Sequence, residues 1–446
     1  MRRRGIQLPS RRRSRLRLAI CGLALVAALA LPVASATADR GRLDPHFGKQ
    51  GRTVVPLELE IPKLWYAPQV SAASAPGGET VVAAGSLLIR LRADGRVDTG
   101  FATAGFFDAS AAFGVPVDIA GIAVDGEGRV VAVATTGPTS QAMILRLTAD
   151  GTLDPSFGSG GVLSTDFGLP PPIGGPLPAV LSTHVAIDPQ GRVLVSGTHL
   201  EAIPYCSLFG GYAARLLGDG SLDSSFGSGG VVAFSTTTLS LVEAMGLSSE
   251  GSPLLIGRRE GCKEIEPPPF SVTQLDGSGV ADPAFDSSAA QVGQEMPRGI
   301  TVDGSGRIIV LEPTGVFRLL PSGRPDPAFG RRGYAAVHIG SRQSKLSGVA
   351  VTPGEGLVLT GTFVHYWEGR PEPRRRAVLI RLGSRGRQDM RLGRGGVVRA
   401  AYGKPSNVAG REVLLDRHGE ATVVGLVRNQ RLPTGQGVAL FRFQLR

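Results

Sequence analysis

Two aspartates four residues apart recur along this chain, Asp150 with Asp154 and Asp219 with Asp223. Paired carboxylates raise calcium coordination first. A calcium loop gathers more oxygen ligands than these two positions supply. The expected role is therefore structural, an aspartate capping a turn through its own backbone, and no cofactor is expected, calcium being the one candidate the motif raises. The six histidines, His46, His184, His199, His338, His365 and His418, fall in different parts of the chain. There is no HExxH and no GxSxG, and Gly158-Ser159-Gly160 reads as a turn. No catalytic residue and no metal ligand is assigned.

Cysteine chemistry is limited to Cys21, Cys206 and Cys262. Cys21 lies in an N-terminal segment that stands apart from the rest. Eight arginines between Arg2 and Arg17 precede an apolar run from Leu18 to Val33, and Ala34-Ser35-Ala36-Thr37-Ala38 follows. A basic start, an apolar middle and an Ala-x-Ala end describe a secretory leader, residues 1–38; a retained membrane anchor is the alternative. In an exported chain the remaining even pair, Cys206 and Cys262, is expected to form a disulfide. The formal charge of +11 belongs mostly to the leader: without its eight arginines the 48 basic residues become 40 against 37 acidic ones. A net charge of about +3 removes most of the support for a nucleic-acid partner. No later apolar run is long enough to span a bilayer.

The elements that must position these residues come from a repeat. Leu153-Asp154-Pro155-Ser156-Phe157-Gly158 returns in versions built on Asp44, Asp98, Asp223, Asp282, Asp326 and Asp389, 44 to 69 residues apart. Between copies run short β-branched segments such as Ile119 to Val124, Arg129 to Ala134 and Ala142 to Leu147, separated by Asp-Gly turns. Four strands per unit predict the blade of a propeller. The last unit has three strands and stops at Arg446; the first begins at a fourth strand, Thr53-Val54-Val55. The two ends are therefore expected to complete one blade together. The reading is all-β: residues 39–446 form one seven-bladed β-propeller with four-stranded antiparallel blades, expected to be monomeric.

These units resemble the delta-60 repeat family, whose pattern is Asp-Gly-x-Leu-Asp-x-x-Phe-Gly-x-x-Gly. Asp150 to Gly161 and Asp219 to Gly230 match it almost fully, and Asp94 to Gly105 and Arg40 to Gly51 match in part. Asp286 breaks the fifth copy and Met390-Arg391-Leu392 the seventh. The resemblance implies an exported bacterial protein and leaves activity open.

Loop lengths supply the functional expectation. Long insertions fall between second and third strands and in the crossovers between blades, on one face of the ring: 56–68, 169–178, 199–212, 258–270 and 365–376. Repeat proteins place insertions on the binding face. This face carries Trp65 and Tyr66 in a crossover, and Tyr366, Trp367, Arg374 and Arg375 in another loop, the residue types that anchor recognition surfaces. Cys206 and Cys262 sit in equivalent loops of neighbouring blades there. The expectation is a secreted or cell-surface scaffold that binds an extracellular glycan or protein. A hydrolase or lyase with a site in the central channel is the first alternative, and a purely structural surface protein the second.

Overall fold

Runs of valine, isoleucine, leucine and alanine broken by Asp-Gly turns give seven four-stranded sheets, each antiparallel throughout. The computed structural model describes residues 42–57, 70–135, 141–169, 180–203, 206–234, 239, 241–258, 269–285, 290–366, 373–403 and 407–445. Blade 1 comprises Val70–Ser74, Thr80–Ala84, Leu87–Leu91 and Phe106–Asp108. Blade 2 comprises Asp118–Val124, Val130–Thr135, Ala142–Leu147 and Val162–Thr165. Blade 3 is Val180–Ile187, Val193–Ile203, Cys206–Leu216 and Val231–Ala233, and blade 4 is Leu241–Leu247, Pro253–Arg258, Phe270–Gln274 and Gln291–Gly293. Blade 5 is Gly299–Val302, Ile308–Glu312, Gly315–Leu319 and Tyr334–Ala336, and blade 6 is Lys345–Val351, Leu357–His365, Arg374–Leu382 and Val398–Ala400. Blade 7 takes Val408–Leu415, Ala421–Arg428 and Gln436–Phe443 from the C-terminus and Arg52–Pro56 from the N-terminus.

That shared sheet closes the ring. Arg52–Pro56 pairs antiparallel with Gln436–Phe443, with Val54 opposite Ala439 and Val55 opposite Val438. The ring, within Ala36–Arg446, has its apolar core between blades rather than inside them. Seven clusters each straddle one junction. Val133 and Ile144 of blade 2 meet Val193 and Val195 of blade 3, and Ile309 and Leu311 of blade 5 meet Leu357 and Leu359 of blade 6. A single blade cannot bury both of its faces; stacking does that, which is why the middle strands are apolar on both sides.

The first strands run side by side around the axis. In blades 2, 3, 4, 6 and 7 the first strand bulges at one equivalent position, Ala120, Thr183, Glu243, Ser347 and Arg411, each opposite no partner on the second strand. A bulge re-aims a side chain and sharpens the local twist. Room comes from glycines on the second strand: a Cβ on Gly257, Gly361 or Gly425 would lie 1.9 to 2.2 Å from a carbonyl oxygen of the first.

Two loop expectations need correction. Residues 199–212 are strand for most of their length, His199 pairing Gly210 and Ile203 pairing Cys206. Arg374, Arg375 and Arg376 likewise belong to a strand, opposite His365, Val364 and Phe363. Both insertions extend a hairpin outward because the ladder, once in register, satisfies more backbone groups than a loop would. One short helix, Ala109–Phe113, follows blade 1, capped by Asp108 at its start and by Gly114 at φ +69°.

Candidate functional site

The repeated motif proves to be the joint between blades. In blade 3 the Arg215 guanidinium donates through Nε to Asp223 at 2.7 Å, and through a terminal nitrogen to Ser225 Oγ at 3.1 Å. The other terminal nitrogen reaches the carbonyl of Gly277, in blade 4, at 2.8 Å. The guanidinium lies 4.6 Å from the centre of the Phe226 ring. Asp223 also caps its own turn, accepting from the Ser225 amide at 3.1 Å. The Ser225 hydroxyl and, against desolvation, Arg215 hold its carboxyl below the usual range. Arg90, Arg146, Arg318 and Arg381 of blades 1, 2, 5 and 6 pair with their aspartates likewise and reach the carbonyls of Ala149, Gly218, Ser384 and Leu445, while Arg442 of blade 7 donates to Thr422 and to the carbonyl of Ala93.

The glycine of Asp-Gly serves the same joint. Gly151 has φ +86°, and a Cβ there would sit 2.7 Å from the Phe101 ring of the preceding blade; Gly220 and Gly95 meet Phe157 and Phe47 alike. Asp98, Asp154, Asp223, Asp282, Asp326 and Asp389 thus have both oxygens engaged by protein donors, and Asp44 accepts from the His46 amide, as the turn-capping reading expected. Sequence reasoning missed the arginine, although Arg90, Arg146, Arg215, Arg318 and Arg381 each precede their aspartate by eight residues. Blade 4 departs from the rule: Gln274 replaces the arginine, donates to Asp282 at 3.1 Å, and makes no bond to blade 5 among the described residues.

On the opposite face the sequence-selected residues are placed unevenly. Tyr366 is 58% exposed at the end of its hairpin. Arg374 and Arg375 are half-buried along a strand. Trp65, Tyr66, Trp367 and Cys262 lie outside the described residues, as does the leader, and Cys206 is described only as the first residue of its strand.

Sequence reasoning also overlooked the groups at the mouth and wall of the ring. Glu312 ends the second strand of blade 5, Glu295 lies in the crossover before that blade, and Lys345 starts the first strand of blade 6. Glu295 accepts from Thr314 at 2.9 Å and from Lys345 Nζ at 3.2 Å. Glu312 is 5% exposed, and its Oε1 has no hydrogen-bond partner. Desolvation first, then the Glu295 charge, pushes its carboxyl up to about 7. Tyr334, 3.5 Å from Thr314 Oγ1, is raised by burial, and further by these two glutamates.

Arg411 and Glu412, both half-buried, follow one another at the bulge of blade 7. Enclosure pushes Glu412 up to about 8 despite Arg411, and lowers Arg411, with Arg298 adding to that depression. Across the ring, desolvation takes His184 down to about 4, against a hydrogen bond to the Glu243 backbone. Asp118 is raised by burial, and its Oδ1 has no hydrogen-bond partner. Carboxyls held near neutral pH can bind or exchange protons. Among the described residues no group of three or more histidine, cysteine or acidic side chains is arranged to hold a metal.

Comparison with known proteins agrees on architecture. Residues 128–157, the second strand of blade 2 through its motif, match the model of a β-propeller domain of unknown function, DUF5122. No curated protein matches the chain. Among solved structures it resembles the extracellular domain assigned to a hybrid two component system of B. thetaiotaomicron, at 9% identity and TM-score 0.45, over 88% of this chain and 41% of that one. A puromycin hydrolase is similar at 14% identity and TM-score 0.43, over 82% and 51%. The gluconolactonase XC5397 of Xanthomonas campestris is similar at 17% and TM-score 0.36, over 69% and 94%. The chain thus spans less than half of the first of these proteins. At such identities and TM-scores the likenesses carry no argument about activity. Among the described residues no helix is long and apolar enough to cross a membrane.

Proposed function

We propose that this protein is an exported propeller of the delta-60 repeat kind, whose leader, residues 1–38, is removed. The remaining monomeric ring binds a cell-envelope glycan or another extracytoplasmic protein on the face that carries the hairpin tips. The difference between the two faces carries this reading. The motif face is built from turns of nearly constant length, consumed in joining blades. On the other face the hairpin of second and third strands runs from five paired positions in blade 5 to nine in blade 6 and eleven in blade 3. Variation on one side of a repeat array is where recognition is placed. Tyr366, with Trp65, Tyr66 and Trp367, would supply the aromatic contacts, Arg374 and Arg375 the charge, and a Cys206–Cys262 bond would tie two neighbouring tips.

The reading is tested by thermal shift of the exported chain against envelope polysaccharides, with cross-linking to intact cells as the arm for a protein partner. A saturating ligand at a hundred times its dissociation constant should add about 2.7 kcal/mol. The shift or the cross-link should disappear when Tyr366 and Trp367 are both changed to alanine. A ligand whose effect survives that change does not use this face. The second reading, a hydrolase or lyase acting at the channel, is favoured by Arg411 and Glu412. Its mark would be turnover abolished by Glu412→Gln in a protein that still unfolds in one cooperative transition.

A further inference from the structure

The motif face is uniform in backbone but not in charge. At the third position of the motif turn, blades 2 and 3 carry Ser156 and Ser225, and blade 6 carries Arg391. Two residues past the phenylalanine, Ser159 and Ser228 are replaced by Arg331 in blade 5 and Arg394 in blade 6, with Arg332 following the first. At the aspartate of the Asp-Gly turn, Asp94, Asp150 and Asp219 give way to Arg385, and Arg387 lies two residues on. All six arginines are exposed. The backbone beneath them keeps the shape of the other blades: Arg331 bonds Tyr334 as Ser159 bonds Val162, and Gly330 donates to the Arg385 carbonyl across the junction at 3.0 Å. That bond places the two loops side by side.

The acids of this region are engaged elsewhere. Asp326 holds Arg318, Asp389 holds Arg381, and Glu355 bridges Arg307 and Ser305. Six positive charges therefore share two adjacent loops, and Asp389, which lies beside Arg391, is already paired with Arg381. In water six like charges repel, and folding alone gives no reason to gather them. Neighbouring sheets stand about 10 Å apart, so the cluster is wider than one small anion and suits a chain with repeated charges. Arginine forks carboxylate and sulfate groups with two parallel donors. Phe329, the motif ring beneath the cluster, is fully buried and offers no face for a base to stack on. Met390, 64% exposed beside Arg391, offers an apolar surface of the size of a sugar face.

We propose that the motif face of blades 5 and 6 is a binding site for an acidic polysaccharide, bearing carboxylate or sulfate groups. It is distinct from the hairpin face and would operate whether or not that face binds a partner. The test uses the exported chain, with polygalacturonate, heparin, neutral dextran and duplex DNA as probes in a solution binding assay. Polygalacturonate or heparin should bind and dextran should not, and binding should weaken steeply between about 50 and 200 mM salt. Arg331→Ser with Arg394→Ser installs residues that blades 2 and 3 already carry in the same turn, so the fold is retained. The pair should weaken binding about tenfold or more, and Arg385→Asp should do the same. Polyanion binding unchanged in both variants, or dextran binding as well as the acids, overturns the site. Duplex DNA binding more tightly than either acidic polysaccharide at equal salt overturns the assignment of its ligand.

Discussion

Changing Arg215 to alanine tests whether the blades are held by the arginine joint. The side chain is 3% exposed, and it holds Asp223, Ser225 and the Gly277 carbonyl of the next blade. Its loss leaves the buried carboxylate with the longer ion pair to Arg192, at 3.7 Å; removing one partner of a buried pair costs about 3–5 kcal/mol. The two bonds from Ser225 to Asp223 remain and keep the cost toward the lower end, about 4 kcal/mol once the Gly277 carbonyl is counted. At about 2.1 cal/mol/K per residue, the roughly 350 described residues give an unfolding entropy of about 0.7 kcal/mol/K, so Tm should fall by about 5–6 °C. Arg215→Gln is the comparison, because blade 4 already uses Gln274 in this place. It keeps a donor to Asp223 and loses the bond across the junction and the contact with Phe226, so about 1–2 kcal/mol, or about 2 °C, is expected. Calorimetry reads the totals, and hydrogen exchange reads the turn 276–279. Two variants with equal melting points, or an alanine variant within about 1 °C of wild type, would refute the joint as a source of stability.

Glycine position separates two effects at similar φ. Gly151→Ala, driven against the Phe101 ring, should cost about 2–4 kcal/mol, whereas Gly160→Ala, at φ +65° with nothing within 4 Å, should cost about 1 kcal/mol; equal losses in urea melts would show the ring contact to be slack. For Glu412 the folded value lies near 8 and the unfolded one near the ordinary carboxylate, so the folded state holds the extra proton. Stability from this group is full below about pH 4, falls as pH rises, and is gone above the folded value near 8. Glu412→Gln should therefore flatten the melting profile between those limits, and a variant that tracks wild type at every pH contradicts the enclosure. His184 acts in the opposite sense: its share of stability is present above about pH 6.5 and is lost as pH falls toward 4, so acid melts of His184→Gln should be less pH-dependent there. Deleting 437–446 removes the strand that pairs both 52–56 and 421–428, and a cooperative melt that survives it would show that the ring does not need its shared blade.

Architecture was legible in the chain because each blade writes the same local chemistry, and a turn that needs glycine at positive φ repeats visibly. The shared blade was readable for the same reason, one end lacking a strand that the other supplied. The arginine of the joint was overlooked because its partners are a motif eight residues later and a carbonyl more than fifty residues away; only the first has a fixed spacing. Arg374 and Arg375 were read as loop because charge and glycine mark loops statistically, while the ladder to Val364 and His365 is set by a hairpin already in register. Glu312, Asp118 and Glu412 gave no sequence signal at all. Their perturbation comes from enclosure by strands of other blades, and single acids among apolar residues read as ordinary strand surface.

Every arginine joint points the same way round. A blade offers a cation and a phenylalanine on one side and a carbonyl and a glycine on the other, so the junctions are heterologous contacts repeated about an axis. Such contacts end only when the ring meets itself. Here one chain carries six such joints, with Gln274 in the arginine's place in blade 4, and Arg442 of blade 7 finds its acceptor at Ala93 of blade 1. A fragment cut at any of the arginine joints would present a donor side at one end and its matching acceptor at the other. It would therefore be complementary to its own copies, and continuity of a single chain is what keeps the contacts within one molecule.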